Sequence, residues 1–384
     1  LAPELDRKYE TCYGYLQDDV TETRPTVDLA LRVLYRTATD RLAARSLFAR
    51  RSPLRRHRLV WLGDDRGRPL LARRVTVDER VVAFLLGDDD VDDELADAAA
   101  VVTPETSLAP LPVGADARAR LEALAVTDGG SPESPPSESG SGSSPGADSD
   151  SDVGSGSTAR PPMTYLHGPY GVGKRAAVEA VCAEVGTPVV RADAGAIVER
   201  DAGERLARLI RETHLQAAAL SVEGLVPFPE EATTDLDAVV RALDAFAGPV
   251  FLSGTAPLPT RTGLGVSNHA FEAVRLPRPS YDRRRALWEA VDGLPADVDA
   301  ADLAGTFRLT GGQIADAVET ADRLADGDGL SAAAIYRGCR AQSTDALDAL
   351  ARKVDPGYAW ADIVLPPDAL AHLREVAAHV RHRG

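Results

Sequence analysis

Lysine, methionine and cysteine are almost missing from this chain of 384 residues, which has three lysines, one methionine and three cysteines. Cys12, Cys182 and Cys339 lie far apart, are odd in number and lack paired spacing. That excludes a disulfide framework and a cysteine-spaced zinc motif, so no metal ligands are assigned. No apolar run approaches the roughly 18–20 residues of a membrane helix. No signal peptide is visible, and the expected location is cytoplasmic. The chain opens on Leu1 and its one methionine is Met163, so a fragment or a processed chain is expected.

Positive charge is also short. Lys and Arg total 43 against 59 Asp and Glu, a formal net charge of -16. Such a balance does not recruit nucleic acid or an anionic membrane by bulk charge, although a local basic patch can. With lysine only at Lys8, Lys174 and Lys353, nearly all the positive charge is arginine. Aspartate recurs in runs such as Asp88-Asp89-Asp90 and Asp92-Asp93-Glu94. An Asp-rich, Lys-poor surface suits a halophile: at very high salt the Debye length shrinks to about 3 Å and self-repulsion fades. A GC-rich genome produces the same bias.

What is present suffices for folded domains. Apolar residues make up 44% of the chain, enough to bury cores, and the length suggests two or three domains. From Thr127 to Pro162 the sequence is Ser, Gly, Pro and Asp with almost nothing to bury, which reads as a flexible acidic linker. Before it, Leu5, Tyr9, Cys12, Tyr13 and Leu16 recur at helical spacing, and Thr26 is placed to cap a helix carrying Val27, Leu29, Leu31, Val33 and Leu34. An arginine cluster from Arg41 to Arg58 follows. Next come Leu59-Val60-Trp61-Leu62, a turn at Gly63–Gly67, and Leu70, Leu71 and Val75. Helices followed by a short hairpin predict a mostly α, winged-helix-like module.

Beyond the linker, strand and helix signals alternate. Strands are expected at Met163–Leu166, Pro188–Arg191, Ala219–Val222, Pro249–Ser253 and Phe271–Leu276. Helices are expected at Gly173–Val185, Ile197–Ala218 and Leu236–Phe246, with only helices after Leu276. The pattern predicts an α/β fold with a parallel sheet and an appended helical subdomain.

The sharpest motif is Gly168-Pro169-Tyr170-Gly171-Val172-Gly173-Lys174-Arg175, which fits G-x-x-x-x-G-K between a strand and a helix. Glycines let backbone N–H groups turn inward around a phosphate, the helix N-terminus adds a positive dipole end, and Lys174 neutralises outer phosphates. The position that normally offers a Ser or Thr hydroxyl to Mg²⁺ holds Arg175, a cation that cannot ligate the metal. The second strand of such a site normally ends in acids. Here Glu223 is the candidate for the metal-side acid, or else an ordinary strand-end carboxylate. Gly224 stands where a water-activating Glu is needed. Glu230 and Glu231 read as loop acids. Ser253, ending the next strand, is a candidate sensor of phosphate, with a turn-initiating serine the alternative.

These residues resemble the AAA+ ATPases, in particular tandem, transitional-ER-ATPase-like proteins of prokaryotic or haloarchaeal type. The resemblance rests on the phosphate loop, the strand ending at Ser253, the helical stretch Arg278–Trp288 and the turn Leu309-Thr310-Gly311-Gly312-Gln313-Ile314. The N-terminal unit, with Leu1–Asp6 and Arg24–Leu31, resembles the variant winged-helix domain that precedes such modules. Trp360–Pro366 looks like the lead-in to a further module. The implied organisation is a winged-helix-like domain at 1–110, connector and linker at 111–162, a degenerate AAA+ α/β subdomain at 163–276, a helical lid at 277–352, and the start of a truncated second module at 353–384. The family implies ATP as ligand, a hexamer-like ring that remodels protein substrates, and protein contacts through the N-terminal domain. The usual arginine-finger run before the last strand is not evident, with Arg261 and Arg275 the only candidates; the lid carries Gln313 where some members have a nucleotide-sensing arginine region, so no such role is assigned to it. Arg175 and Gly224 depart from the pattern and imply a regulatory module that hydrolyses ATP weakly or not at all. Two other readings remain: a winged-helix nucleic-acid-binding protein with an ATP-sensing module, and a non-catalytic structural adaptor.

Overall fold

Caps and apolar spacing decide where the first elements fall. The structure, a computed structural model, describes residues 2–63, 67–111, 113–127, 162–225, 243, 246–258, 270–324, 330–344, 360 and 362–381. The acidic segment 128–161, Asp64–Arg66, Glu230, Glu231, Arg261 and Lys353 lie outside them. Of the expected helix Leu236–Phe246 only Leu243 and Phe246 are described, and both are buried. The chain divides into two compact units. One comprises Leu1–Ala109, Ala119–Leu166 and Arg175–Val274, the other Pro110–Arg118, His167–Lys174 and Arg275–Gly384.

The first unit begins with helices α1 (Ala2–Leu5), α2 (Lys8–Leu16), α3 (Val27–Leu34), α4 (Ala38–Ala44) and α5 (Pro53–Arg56). Thr26 caps α3 as expected, its side chain accepting from the Leu29 N–H. Val27 and Leu31 of α3 pack with Ala44 and Phe48, and each of the larger side chains contributes about 1.5–3 kcal/mol by burial. Strands β1 (Val60–Leu62) and β2 (Val75–Val77) form the expected antiparallel hairpin, with Leu62 opposite Val75. Helix α6 (Glu79–Leu85) follows, capped by Asp78.

Strand β3 (Ala99–Val102) escaped the sequence reading. It has no alternation and no β-branched run long enough to announce it. It pairs antiparallel with β5 (Val189–Asp193), Val101 opposite Val190, and so becomes the outermost strand of the main sheet. That sheet is six-stranded and mostly parallel, in the order β3-β5-β6-β7-β4-β8, with β4 Met163–His167, β6 Ala219–Leu225, β7 Val250–Gly254 and β8 Phe271–Arg275. In chain order helix α7 (Ala115–Thr127) precedes β4 and helix α8 (Lys174–Glu184) follows it.

The expected single helix Ile197–Ala218 is two: α9 (Ala194–Glu199), capped by Asp193, and α10 (Ala202–Leu215). Asp201 sits between them at φ 37°, a left-handed conformation that Asp tolerates better than most residues. The pattern of apolar residues carried across the break because both helices bury one face against the same sheet core.

Charge inside this unit overturns part of the surface reading. Asp92, taken above as one of a run of surface acids, is buried and accepts from Arg208 at 2.9 Å and from Arg211. Fully buried Arg211 also donates to Asp78 at 2.8 Å. Arg80 Nε lies 2.9 Å from Glu212 Oε1, and its Nη2 lies 3.1 Å from Oε2. Arg58, counted in the arginine cluster, pairs with Glu204 at 2.5 Å and lies over the Trp61 ring. The winged segment is thus fastened to α10 by buried ion pairs.

The second unit contains α11 (Tyr281–Glu289), α12 (Ala300–Thr306), α13 (Gly311–Leu324) and α14 (Ala332–Thr344). Trp288, Leu303, Leu309, Ile314, Ile335 and Cys339 form its core. A further helix, α15 (Pro367–Arg381), carries the last described residues. Among the described residues no helix is long and apolar enough to cross a membrane.

Candidate functional site

The segment Gly168–Gly173 connects β4 to α8, as the motif requires. Four of the five β4 residues are buried, which anchors the loop's entry. Gly171 and Gly173 have φ of 69° and 94°, the left-handed region that glycine enters at little cost. Gly171 also has no room for a side chain: an added Cβ would lie 2.6 Å from Thr310 Oγ1 and 2.8 Å from the Gly312 Cα.

The turn before α13 is hydrogen-bonded to this loop. The Gly312 N–H donates to the Gly171 carbonyl at 2.8 Å, and the Thr310 hydroxyl donates to the Tyr170 carbonyl at 2.8 Å. Gln313 serves that turn, its Oε1 accepting from the Thr310 N–H at 3.1 Å. Lys174 Nζ donates to the Gly168 and Pro169 carbonyls at 2.8 and 2.9 Å. Pro169 and Val172 complete the loop, and the Tyr170 side chain is exposed. Burial, with Arg275 and Lys174 adding, holds His167 below its ordinary value, so the strand end next to the loop favours a neutral ring.

In the first unit, the C-terminal ends of β5, β6 and β7 carry Asp193, Glu223 and Ser253. Asp193 stands in register with Glu223, and Ser253 is buried. The Glu223 carboxylate is occupied by Arg175. Nε lies 3.1 and 3.2 Å from its two oxygens and Nη2 lies 2.7 Å from Oε2. Gly224 has φ 76° at a register shift between Val222 and Leu225, so the backbone itself is built for glycine there. A Cβ at Gly224 would lie 3.3 Å from Asp193 Oδ2. Asp193 was missed in the sequence because the strand was expected to end at Arg191; its other oxygen caps α9, accepting from the Ala196 N–H at 2.9 Å. A cleft of about 240 Å³ opens here, lined by Asp97, Arg175, Arg191, Asp193 and Glu223 among others. A larger cleft of about 590 Å³ is lined by Trp61, Asp88 and Asp92 with Arg80 and Arg208, two arginines already held by Glu212 and Asp92.

A phosphate group fits the loop, which supplies left-handed glycines, a helix start and a lysine. Magnesium does not fit the residues present. The hydroxyl position is Arg175, and the acid that would face the metal is held by that arginine.

Sequence families match three separate stretches. Residues 1–99 match the variant winged helix domain, residues 164–226 the ATPase family associated with various cellular activities (AAA), and residues 280–345 the contractile injection system ATPase helical domain. The protein thus carries an N-terminal winged helix domain and an AAA ATPase domain, which implies nucleotide binding. No curated protein matches the chain.

Proposed function

We propose that the chain is the ATP-binding, regulatory module of a ring-forming, protein-remodelling AAA ATPase, and that it hydrolyses ATP weakly or not at all. The observation that carries this reading is the pairing of an intact phosphate loop, Gly168–Lys174, with a strand end where Gly224 replaces the water-activating acid. Gly168, Pro169, Tyr170, Gly171, Val172, Gly173, Lys174 and Arg175 are the nucleotide contacts in this reading, and Ser253 the sensor. The match of residues 280–345 points to a contractile injection system as the machinery served. The N-terminal domain contacts the partner protein, a role supported by exposed apolar residues such as Tyr15, Val20 and Leu34. The location is cytoplasmic, and the Asp-rich surface is adapted to high salt.

The test is Lys174→Ala with a fluorescent ATP analogue. Binding should weaken about tenfold or more, the weight of a charge-assisted contact. Unchanged binding and assembly would favour the adaptor reading, and rapid magnesium-dependent turnover by the wild type would refute the non-hydrolysing role. Sedimentation with ATP should show a ring-sized oligomer.

One observation favours nucleic-acid binding instead. Arg55 stands close enough to Arg50, Arg73 and Arg58 to feel their charge, which adds to burial in holding it below its ordinary value. Arg58, however, is engaged by Glu204. Duplex DNA binding that weakens steeply with salt would support that reading.

A further inference from the structure

Arg175 occupies the first turn of α8, one residue beyond Lys174, where the motif normally places the magnesium-ligating hydroxyl. Its guanidinium does not point idly at solvent. It grips both oxygens of Glu223, the strand-end acid on the metal's side. The two groups that would hold a divalent cation therefore hold each other. The neighbouring position adds no acid, since Gly224 is left-handed and has no carboxylate.

The pair is also exchangeable. The Arg175 side chain is 59% exposed and that of Glu223 18%. With the guanidinium this open to water, an incoming anion can reach it and compete with the carboxylate. A phosphate presents two of its oxygens to a guanidinium in the same bidentate fashion as the carboxylate does. Arginine remains charged throughout the physiological range, so the cleft carries a fixed cation of its own.

Resting on the nucleotide-binding reading above, we propose that the site takes a nucleoside polyphosphate free of divalent metal. Arg175 serves as the cation that magnesium would otherwise be. The ligand is a free nucleotide rather than its magnesium complex, whose metal would meet the guanidinium as a like charge. The consequence is a stable occupancy signal without turnover.

The experiment titrates a fluorescent ATP analogue into the full chain with excess chelator and again with excess Mg²⁺. Wild-type affinity in chelator should equal or exceed that in magnesium. Arg175→Thr, which restores the hydroxyl, should lose about tenfold in chelator and recover when magnesium is added. Arg175→Lys keeps the charge without the fork and should fall between the two. Unchanged thermal melting of both variants establishes that the fold is kept, as expected for an exposed side chain. Wild-type binding that requires magnesium overturns the proposal and leaves the nucleotide-binding reading standing. An Arg175→Thr variant that binds like wild type in chelator also overturns it. No binding under either condition overturns both.

Discussion

Arg211 and Arg175 each hold a carboxylate at almost the same distance, 2.8 Å to Asp78 and 2.7 Å to Glu223. One is fully buried and the other mostly exposed. The chemistry of the contact is the same, and the surroundings decide its use. A buried pair that loses one partner leaves an uncompensated charge in a low dielectric, at a cost of about 3–5 kcal/mol. An exposed pair that opens is rehydrated at once. The arginines at the winged segment therefore act as fixed fasteners, while the arginine at the phosphate loop stays within reach of solvent.

That contrast can be broken most forcefully at Arg211. Arg211→Ala should lower stability by about 3–5 kcal/mol, read as a shifted urea midpoint. A loss below about 1 kcal/mol would mean that the network is no fastener. Gly224→Glu comes next. Its left-handed backbone should cost about 1–2 kcal/mol in melting experiments, and the added acid should not restore ATPase activity while Arg175 holds Glu223.

Acidification probes the same junction more gently. Burial holds His57 and His214 below the ordinary histidine value of 6.5, with His214 and Arg56 adding at His57, and their rings meet at 4.8 Å. Below pH 6.5 the unfolded chain takes up protons that the folded one refuses. Stability present above that pH is therefore lost as pH falls through the depressed values. Glu212 titrates with the opposite sign, because burial raises it against the pull of Arg80. The difference in melting between wild type and His214→Phe across pH 7 to about 5 isolates the histidine part, and parallel curves would contradict the assignment. The smallest effect belongs to Arg175→Thr, whose stability should change by less than about 1 kcal/mol.

Local chemistry was legible in the sequence and long-range chemistry was not. Thr26 and the apolar stripe behind it announce α3 because the cap and the face lie within one segment. The glycines and Lys174 announce the phosphate loop for the same reason. The pairing of Arg80 with Glu212 joins residues 132 apart, and Asp92 meets Arg211 from 119 away. No spacing rule reaches that far, so Asp92 read as a surface acid. At the candidate site, Arg175 and Gly224 were visible as departures, but their consequences were not. The grip on Glu223 spans 48 residues, and a left-handed φ at Gly224 is a property of the strand's irregular register. The division at Asp201 was hidden because both helices keep one apolar face toward the same core.

Strand β3 moves the seam of the protein. By composition the chain parts in the acidic stretch after Thr127, yet Ala99–Val102 already belong to the sheet, and Leu95 and Ala98 to its core. An α/β piece excised at the acidic stretch would leave β5 with a bare row of N–H and C=O groups, a template for pairing with foreign strands. A well-behaved excised unit must instead keep Leu95–Val102. The place where the sequence changes texture and the place where the fold can be divided are different.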